Sequence, residues 1–435
     1  MKNLLPSEDK RLRGCFLLCM LCFFCGNLNL AVGWRLGERI LPVLSDIQLA
    51  ASMVFLILAL RRPLSRPAGW HLAFGIAFSC WLLVTRYMHA LFGEPPEIVG
   101  LYLSRYLVLL PFAELCGDGE DCRGLKGGAV ITWGVCLVMC VLSALLVLGC
   151  LPQSLGQDVY WSGARLNTLW NPIIFATILF MGIALCVAGL FAVKKPWQRA
   201  LLILGALVQF GSISLTHSRT VILCICAFIL GTCLFTMGKR RILRSIAWLL
   251  VGVCLAAAAY TGSEAVYLAN NQRLIEETDY ESAGFRVNDQ GILTDGVTNQ
   301  GSLKEDIGSL NGRSNTWKAI FDVFRESKEL RLFGTSRFRD RVLPGIAHAH
   351  NSWLQMLVQM GIPGLLLSLV LTAQILLACA RVLLRCQDPR KLTMTMWVLA
   401  MLPIGFMEPF LFNAPHLGDL FLLTCGYLWS WGKKA

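Results

Sequence analysis

Residues at three places in this chain pair reactive chemistry with an awkward location. His348 and His350 stand in His348-Ala349-His350-Asn351, where a long polar segment runs into apolar sequence. Arg219 lies in Leu215-Thr216-His217-Ser218-Arg219-Thr220, a short polar turn between two apolar runs. Arg313 follows Asn311-Gly312 and precedes a segment of helical periodicity that starts at Ser314 and carries Trp317. An imidazole can relay or accept a proton near neutral pH, and a guanidinium can grip an oxyanion through two parallel bonds. Histidine and arginines at the edge of an apolar slab therefore point to proton relay, to binding of an anion or lipid headgroup, or to group transfer from a lipid-linked donor. Each residue also has a plainer reading. Arg219 could be an anchor that snorkels to the interface, Arg313 a solvated loop arginine, and the histidines polar punctuation at a helix start.

The elements that hold these residues are apolar. The chain has 435 residues, of which 56% are hydrophobic and 15% charged, and its mean hydropathy is +0.60. That composition excludes an ordinary soluble enzyme and predicts an all-α polytopic membrane protein. About twelve segments reach the length of a span, roughly 20 apolar residues. They lie near 14–32, 41–60, 68–88, 97–114, 128–150, 171–192, 199–216, 220–237, 242–260, 362–385, 393–411 and 414–431. The first is not a cleaved signal peptide on this reading, because no small-x-small site follows its apolar run.

Lys and Arg accumulate in loops retained on the cytoplasmic side. An N-terminus inside places the basic clusters at Arg61 to Arg66, Lys194 to Arg199 and Lys239 to Arg244 in the cytoplasm, leaving Arg35, Arg39, Arg86, Arg105, Arg165 and Arg219 at the outer edge. The net charge of +12 thus reports topology, and no basic, aromatic-interleaved module suggests nucleic acid as a partner. The expected organisation is nine spans over 1–260, one large external loop over 261–350, and three spans over 351–435. Within the loop, 280–312 reads as loosely ordered. Trp317, Ile320, Phe321 and Phe324 recur at helical spacing, so 314–329 reads as an amphipathic helix capped by Ser314 or Asn315 and lying on or near the membrane surface. Gly361, Pro363 and Gly364 break the apolar run after His350. Asn351 can therefore cap a short helix of about ten residues before the true span begins. None of the 18 cysteines falls in the external segment, which argues against a disulfide framework. The spacing of Cys15, Cys19, Cys22 and Cys25 reads as small apolar side chains rather than a metal site.

Several of these stretches resemble one family. His350-Asn351, nine residues, then Gly361-Ile362-Pro363-Gly364 is similar to the histidine motif of the O-antigen ligase family. Arg219 with Leu223 resembles its arginine motif. Asn311-Gly312-Arg313 with Trp317 and the later Leu332-Phe333-Gly334 resembles its approach to the histidine, although Arg331-Leu332 stands where a proline is usual. The resemblance implies a fold like that of lipid-donor (GT-C-like) glycosyltransferases, without metal or other cofactor. It implies transfer of a glycan from an undecaprenyl diphosphate donor to the lipid A core or another acceptor, in an active site on the outer face of the inner membrane. Under it His350 is the base that deprotonates the acceptor hydroxyl, and Arg219 and Arg313 bind the donor diphosphate, with Arg337 and Arg339 as further candidates. His348, Asn351, Ser218, Trp317, Gly361 and Gly364 support them. One base and no paired carboxylates predict inversion at the anomeric carbon. A polysaccharide polymerase or a protein oligosaccharyltransferase would share donor, base and fold. A lipid-linked glycan transporter would need internal repeats and mid-span charges, and the sequence displays neither.

Overall fold

The computed structural model describes residues 10–61, 66–94, 99–115, 122–147, 161–162, 165–166, 172–216, 218–236, 285–287, 293–295, 313–336, 342, 349–409, 411–412 and 418–434, with isolated residues between 257 and 276. It is helical apart from two two-stranded antiparallel ribbons, Trp161–Ser162 with Arg165–Leu166 and Phe285–Val287 with Leu293–Asp295. The second ribbon falls inside 280–312, which the composition alone reads as loosely ordered. Seven helical stretches among the described residues are long and apolar enough to cross a membrane: Arg11–Leu28, Ile40–Leu60, Trp70–Leu91, Arg123–Val141, Pro172–Leu190, Pro196–Leu215 and Ser352–Arg385. The chain is a polytopic membrane protein.

Two compact units divide it. One comprises Met1–Ile131, Ser309–Cys386 and Met401–Ala435, and the other Thr132–Gly308 and Gln387–Ala400. In the first unit, helical residues run over Lys10–Leu60 (α1). A straight helix would part Cys22 and Gln48 by roughly 39 Å at 1.5 Å per residue. The Gln48 side-chain amide nevertheless donates to the Cys22 carbonyl at 2.9 Å. The two apolar halves of α1 are therefore folded back on one another. Arg66–Leu91 (α2) follows as a single span-length helix.

The expected span at 97–114 is instead broken. It consists of Gly100–Ser104 (α3), a π-helical turn over Arg105–Leu109, and Phe112–Leu115 (α4) beyond Pro111. The π-turn carries Arg105, which the charge pattern puts at the membrane edge. In the structure Arg105 is fully buried, and its Nε donates to Asp419 Oδ1 at 2.6 Å. Asp419 lies in the first turn of the last helix, and an isolated buried charge on either partner would be prohibitively costly.

Arg123–Val147 (α5) leads into the second unit, which holds Pro172–Leu190 (α6), Pro196–Leu215 (α7) and Arg219–Thr236 (α8). α6 and α7 pack along polar seams: a Cβ at Gly182 would fall 1.9 Å from Gln209 Oε1. The expected span at 242–260 lies almost wholly outside the described residues.

The segment before His350 forms Arg313–Glu326 (α9) and Lys328–Phe333 (α10). Ser327 divides what the periodicity reads as one helix over 314–329, because its side chain accepts from the Leu330 amide and caps a new start. Ser314 and Asn315 lie within the first turn of α9 rather than before it. The apolar face of α9 is also covered differently from the surface-lying reading. Ile320 and Phe324 are buried with Leu330, Val342, Ala349, Leu354, Leu357 and Val358, and Trp317 packs against that cluster. The face meets protein, and only Phe321 of the four periodic residues is largely exposed.

Ser352–Arg385 (α11) holds a break at Gly361 (φ 68°, ψ −168°), so a short helix from Ser352 to Met360 precedes the long one. Pro389–Met407 (α12) and Gly418–Lys434 (α13) complete the chain. α12 stops before the expected end at 411, since Pro409 cannot continue it.

Candidate active site

The first unit brings His350 and Arg313 together on a third residue that sequence reasoning missed, Glu408. Arg313 opens α9, and its Nη2 donates to Glu408 Oε1 at 2.7 Å while Nη1 lies 3.7 Å from Met407 Sδ. The other carboxylate oxygen, Oε2, is 3.4 Å from His350 Nδ1. Exposure grades across the three: 2% for the Glu408 side chain, 15% for Arg313 and 34% for His350. The imidazole faces the surface, the carboxylate lies behind it, and the guanidinium is beside both.

The backbone holds this grouping tightly. His350 has φ 49°, an uncommon conformation for any residue but glycine. Asn351 follows it as the N-cap of α11, accepting from the Trp353 and Leu354 amides through Oδ1. Its Nδ2 donates to the Phe406 carbonyl at 3.0 Å, so one side chain fixes the end of α12 against the start of α11. Ser352 adds a second stitch: its hydroxyl donates to the Glu408 carbonyl at 2.7 Å and accepts from the Leu411 amide at 3.1 Å. On the other side of His350, the Trp317 indole donates to the Ala349 carbonyl at 3.0 Å, and the Ala349 amide donates to Gln355 Oε1 at 2.8 Å. Both backbone groups of Ala349 and the side chains of Asn351 and Ser352 are thus engaged by named partners on either side of His350, which is how a backbone strain of about 1–3 kcal/mol can persist there.

A second set of contacts fixes the short helix from beneath. Breaking α11 at Gly361 frees the carbonyls that precede the break. Val358 O accepts from the Thr335 amide at 2.6 Å, and Met360 O accepts from the Trp81 indole of α2 at 2.9 Å. Gly334, at the end of α10, has φ 69° and ψ −157°, close to the values at Gly361. A Cβ on Gly334 would sit 2.3 Å from Val358 O, and one on Gly361 would sit 2.2 Å from Leu332 O. The two backbones pass so closely that only glycine fits at either. Gly364 has a lesser version of this role, with Met360 packed over its Cα. Beyond Gly334, Glu94 receives bonds from the Thr335 hydroxyl (2.6 Å) and the Ser336 amide (2.6 Å), while His89 Nε2 is 2.9 Å from Phe333 O. Burial pushes the Glu94 carboxyl up, but the bonds from Ser336 and Thr335, with His89 nearby, outweigh it and hold it below its ordinary value.

The remaining expected residues divide. Arg219 is the first residue of α8, in the second unit, where its backbone is described. Ser218 before it is buried; its amide donates to Thr216 Oγ1 at 3.3 Å and its carbonyl accepts from Ile222. Arg219 and Arg313 therefore share one local setting, the first turn of a helix whose free amides favour anions. Arg337, Arg339 and His348 lie outside the described residues.

The chain is thus a helical membrane protein in which a partly exposed imidazole and an arginine meet on one buried carboxylate. Residues 204–369 match the family model described as O-antigen ligase, so this part of the chain is an O-antigen ligase family domain. The match takes in Arg219, Arg313 and His350, while Glu408 lies beyond it. No curated protein matches the sequence.

The signal that could have found Glu408 is the one that drew notice to Arg219. It is a lone ionisable residue in apolar sequence, and such a residue is costly unless it has a partner and a purpose.

Proposed function

We propose that this protein is an O-antigen ligase that transfers a glycan from undecaprenyl diphosphate to the lipid A core oligosaccharide on the outer face of the plasma membrane. The observation that carries this reading is the Arg313–Glu408–His350 grouping inside a chain with an O-antigen ligase family domain. Glu408 faces Nδ1, which leaves Nε2 as the nitrogen that takes the proton of the acceptor hydroxyl. The hydroxyl oxygen then attacks the anomeric carbon, the bond from that carbon to the diphosphate breaks, and the diphosphate leaves with the electron pair. Fixed cations stabilise that charge better than a proton donor would. Arg313 and Arg219 are assigned to it, each on a helix N-terminus, with Arg337 and Arg339 as further candidates. One displacement inverts the anomeric centre, and no step requires a metal. His350 is the catalytic base; Trp317, Asn351, Gly361 and Gly364 position it.

The same site would serve a polymerase, which differs only in the acceptor. The test uses protein purified in detergent with an undecaprenyl-diphosphate-linked glycan, offered lipid A core in one reaction and no other acceptor in another. Gel mobility separates the products. Transfer to the core supports a ligase, and chain growth without it would make the protein a polymerase. An intact donor in both would sink the transferase reading.

A further inference from the structure

Two aromatic residues hold the neighbours of His350. The Trp317 indole donates to the carbonyl of Ala349 before it, and the Phe406 carbonyl accepts from the side chain of Asn351 after it. Their rings meet edge to face, with centroids 5.4 Å apart and planes at 78°. Trp353 extends the group, its ring 6.4 Å from Phe406 and 5.8 Å from Phe412. Burial falls along this array, from Phe412, fully buried, through Trp353 to Phe406, which is 49% exposed. Trp317 spends its indole N–H on Ala349 and Trp353 spends its own on Thr372 Oγ1 at 2.9 Å. What the array offers a partner is therefore ring surface.

Lipid does not account for the exposed ring. Met407 and Glu408 follow Phe406 directly, and both touch Arg313. Arg313 and His350 are themselves partly exposed, and ionisable groups facing hydrocarbon are costly, so this surface lies at the level of water and headgroups. A phenyl ring exposed there gains by being covered. The covering group must join an apolar face to a polar rim. A pyranose does: the C–H hydrogens on one face carry partial positive charge that suits the negative face of an aromatic ring, while its hydroxyls reach outward to imidazole and guanidinium. An acyl or prenyl chain would cover the ring and leave the polar groups beside it unmatched.

We infer that Phe406, braced by Trp317 and Trp353, is the platform on which a sugar ring of the acceptor glycan stacks, presenting a hydroxyl to His350. The inference rests on the reading of His350 as the base and deepens it by naming what holds the acceptor. It also carries a preference, because a sugar whose stacking face bears only C–H hydrogens fits the platform and one with an axial hydroxyl on that face does not.

The experiment pairs steady-state transfer by the full-length protein in detergent with saturation-transfer NMR of the core oligosaccharide freed of its lipid, irradiating the aromatic protons. Phe406→Leu removes the ring, keeps an apolar side chain and leaves the backbone carbonyl for Asn351. It is expected to raise the KM for the acceptor about fivefold, the factor that the geometry-specific part of an aromatic contact supplies, with the KM for the lipid-linked glycan unchanged. Saturation of the sugar C–H protons should weaken with it. Phe406→Tyr keeps the ring and is expected to restore both. Leucine serving as well as phenylalanine would show that the position needs only apolar bulk, as against lipid, and overturns the platform. A rise in the KM for the lipid-linked glycan instead assigns the ring to the donor and overturns it too. The NMR arm separates this inference from the reading beneath it: wild-type protein that saturates the oligosaccharide through Phe406 yet transfers nothing would keep the platform and remove the transferase.

Discussion

Gly361→Ala puts the geometry beneath His350 to its hardest test. The new Cβ would lie 2.2 Å from Leu332 O, 2.5 Å from Leu332 C and 2.7 Å from Arg331 O, all backbone atoms that cannot rotate away. Ordinary carbon contacts begin near 3.5 Å, so the end of α10 and the break in α11 must separate by roughly 1 Å. The conformation itself, φ 68° with ψ −168°, is one that only glycine adopts comfortably and costs any other residue about 1–3 kcal/mol. Relief requires either α10 to pull away, disturbing the Gly334 contact, or the short helix carrying His350 to shift. A misplacement of about 1 Å in a catalytic group can cost on the order of a hundredfold in rate. We therefore expect transfer to fall about a hundredfold, with thermal unfolding in detergent shifted down by several degrees. Gly134→Ala is the control: nothing lies within 4 Å of its Cβ position, so activity and melting should hold or improve slightly. A Gly361→Ala protein with normal transfer and normal melting would refute the argument that this break positions the base.

His350→Ala should abolish transfer while leaving membrane insertion and melting intact, and a normally active variant would remove His350 from the mechanism. Arg219→Lys should impair transfer by more than tenfold although charge is kept, because an ammonium cannot hold a diphosphate through two parallel bonds; initial rates over a range of donor concentration decide it. The Glu94 carboxyl is held below its ordinary value, so the stability it contributes is present above the unfolded value near ~4.3 and is lost as pH falls through the lower folded value. Amide exchange at Thr335 and Ser336 should accelerate over that acidic window in the wild type and be fast at pH 6 in Glu94→Gln. A Glu94→Gln protein with wild-type protection would dissociate Glu94 from this anchor. Asn351→Ala removes a cap and a cross-helix bond together and should lower stability by about 1–2 kcal/mol; a denaturant midpoint unchanged within error would contradict that.

What the sequence could disclose depended on how local the cause was. The Asn351 cap and the break at Gly361 are written within a few residues, and both stand in the structure. Periodicity likewise finds the buried stripe of α9 in Trp317, Ile320 and Phe324, but it cannot say whether lipid or protein covers it. Ser327 was harder to read, because it interrupts a pattern that otherwise continues into Leu330. The partners of Glu408 were out of reach for a different reason. They lie 58 and 95 residues upstream, and Glu408 itself sits among apolar neighbours near the end of the span expected at 393–411. The same holds for Arg105, which looked like an edge charge until Asp419 was placed beside it.

That last pair bears on how the protein is made. Arg105 and Asp419 are 314 residues apart. At about 5–20 residues per second of synthesis, Arg105 waits roughly 15–60 s for its counter-ion to be translated. During that interval a cation in a short, broken helical segment has no permanent place in a lipid interior, and the segment cannot settle until α13 arrives. Biogenesis of the first unit therefore ends with its last helix rather than proceeding span by span. A ribosome halted before residue 419 would leave a chain whose broken helical segment around Arg105 is still unlocked and open to membrane quality control, however well its other helices have inserted.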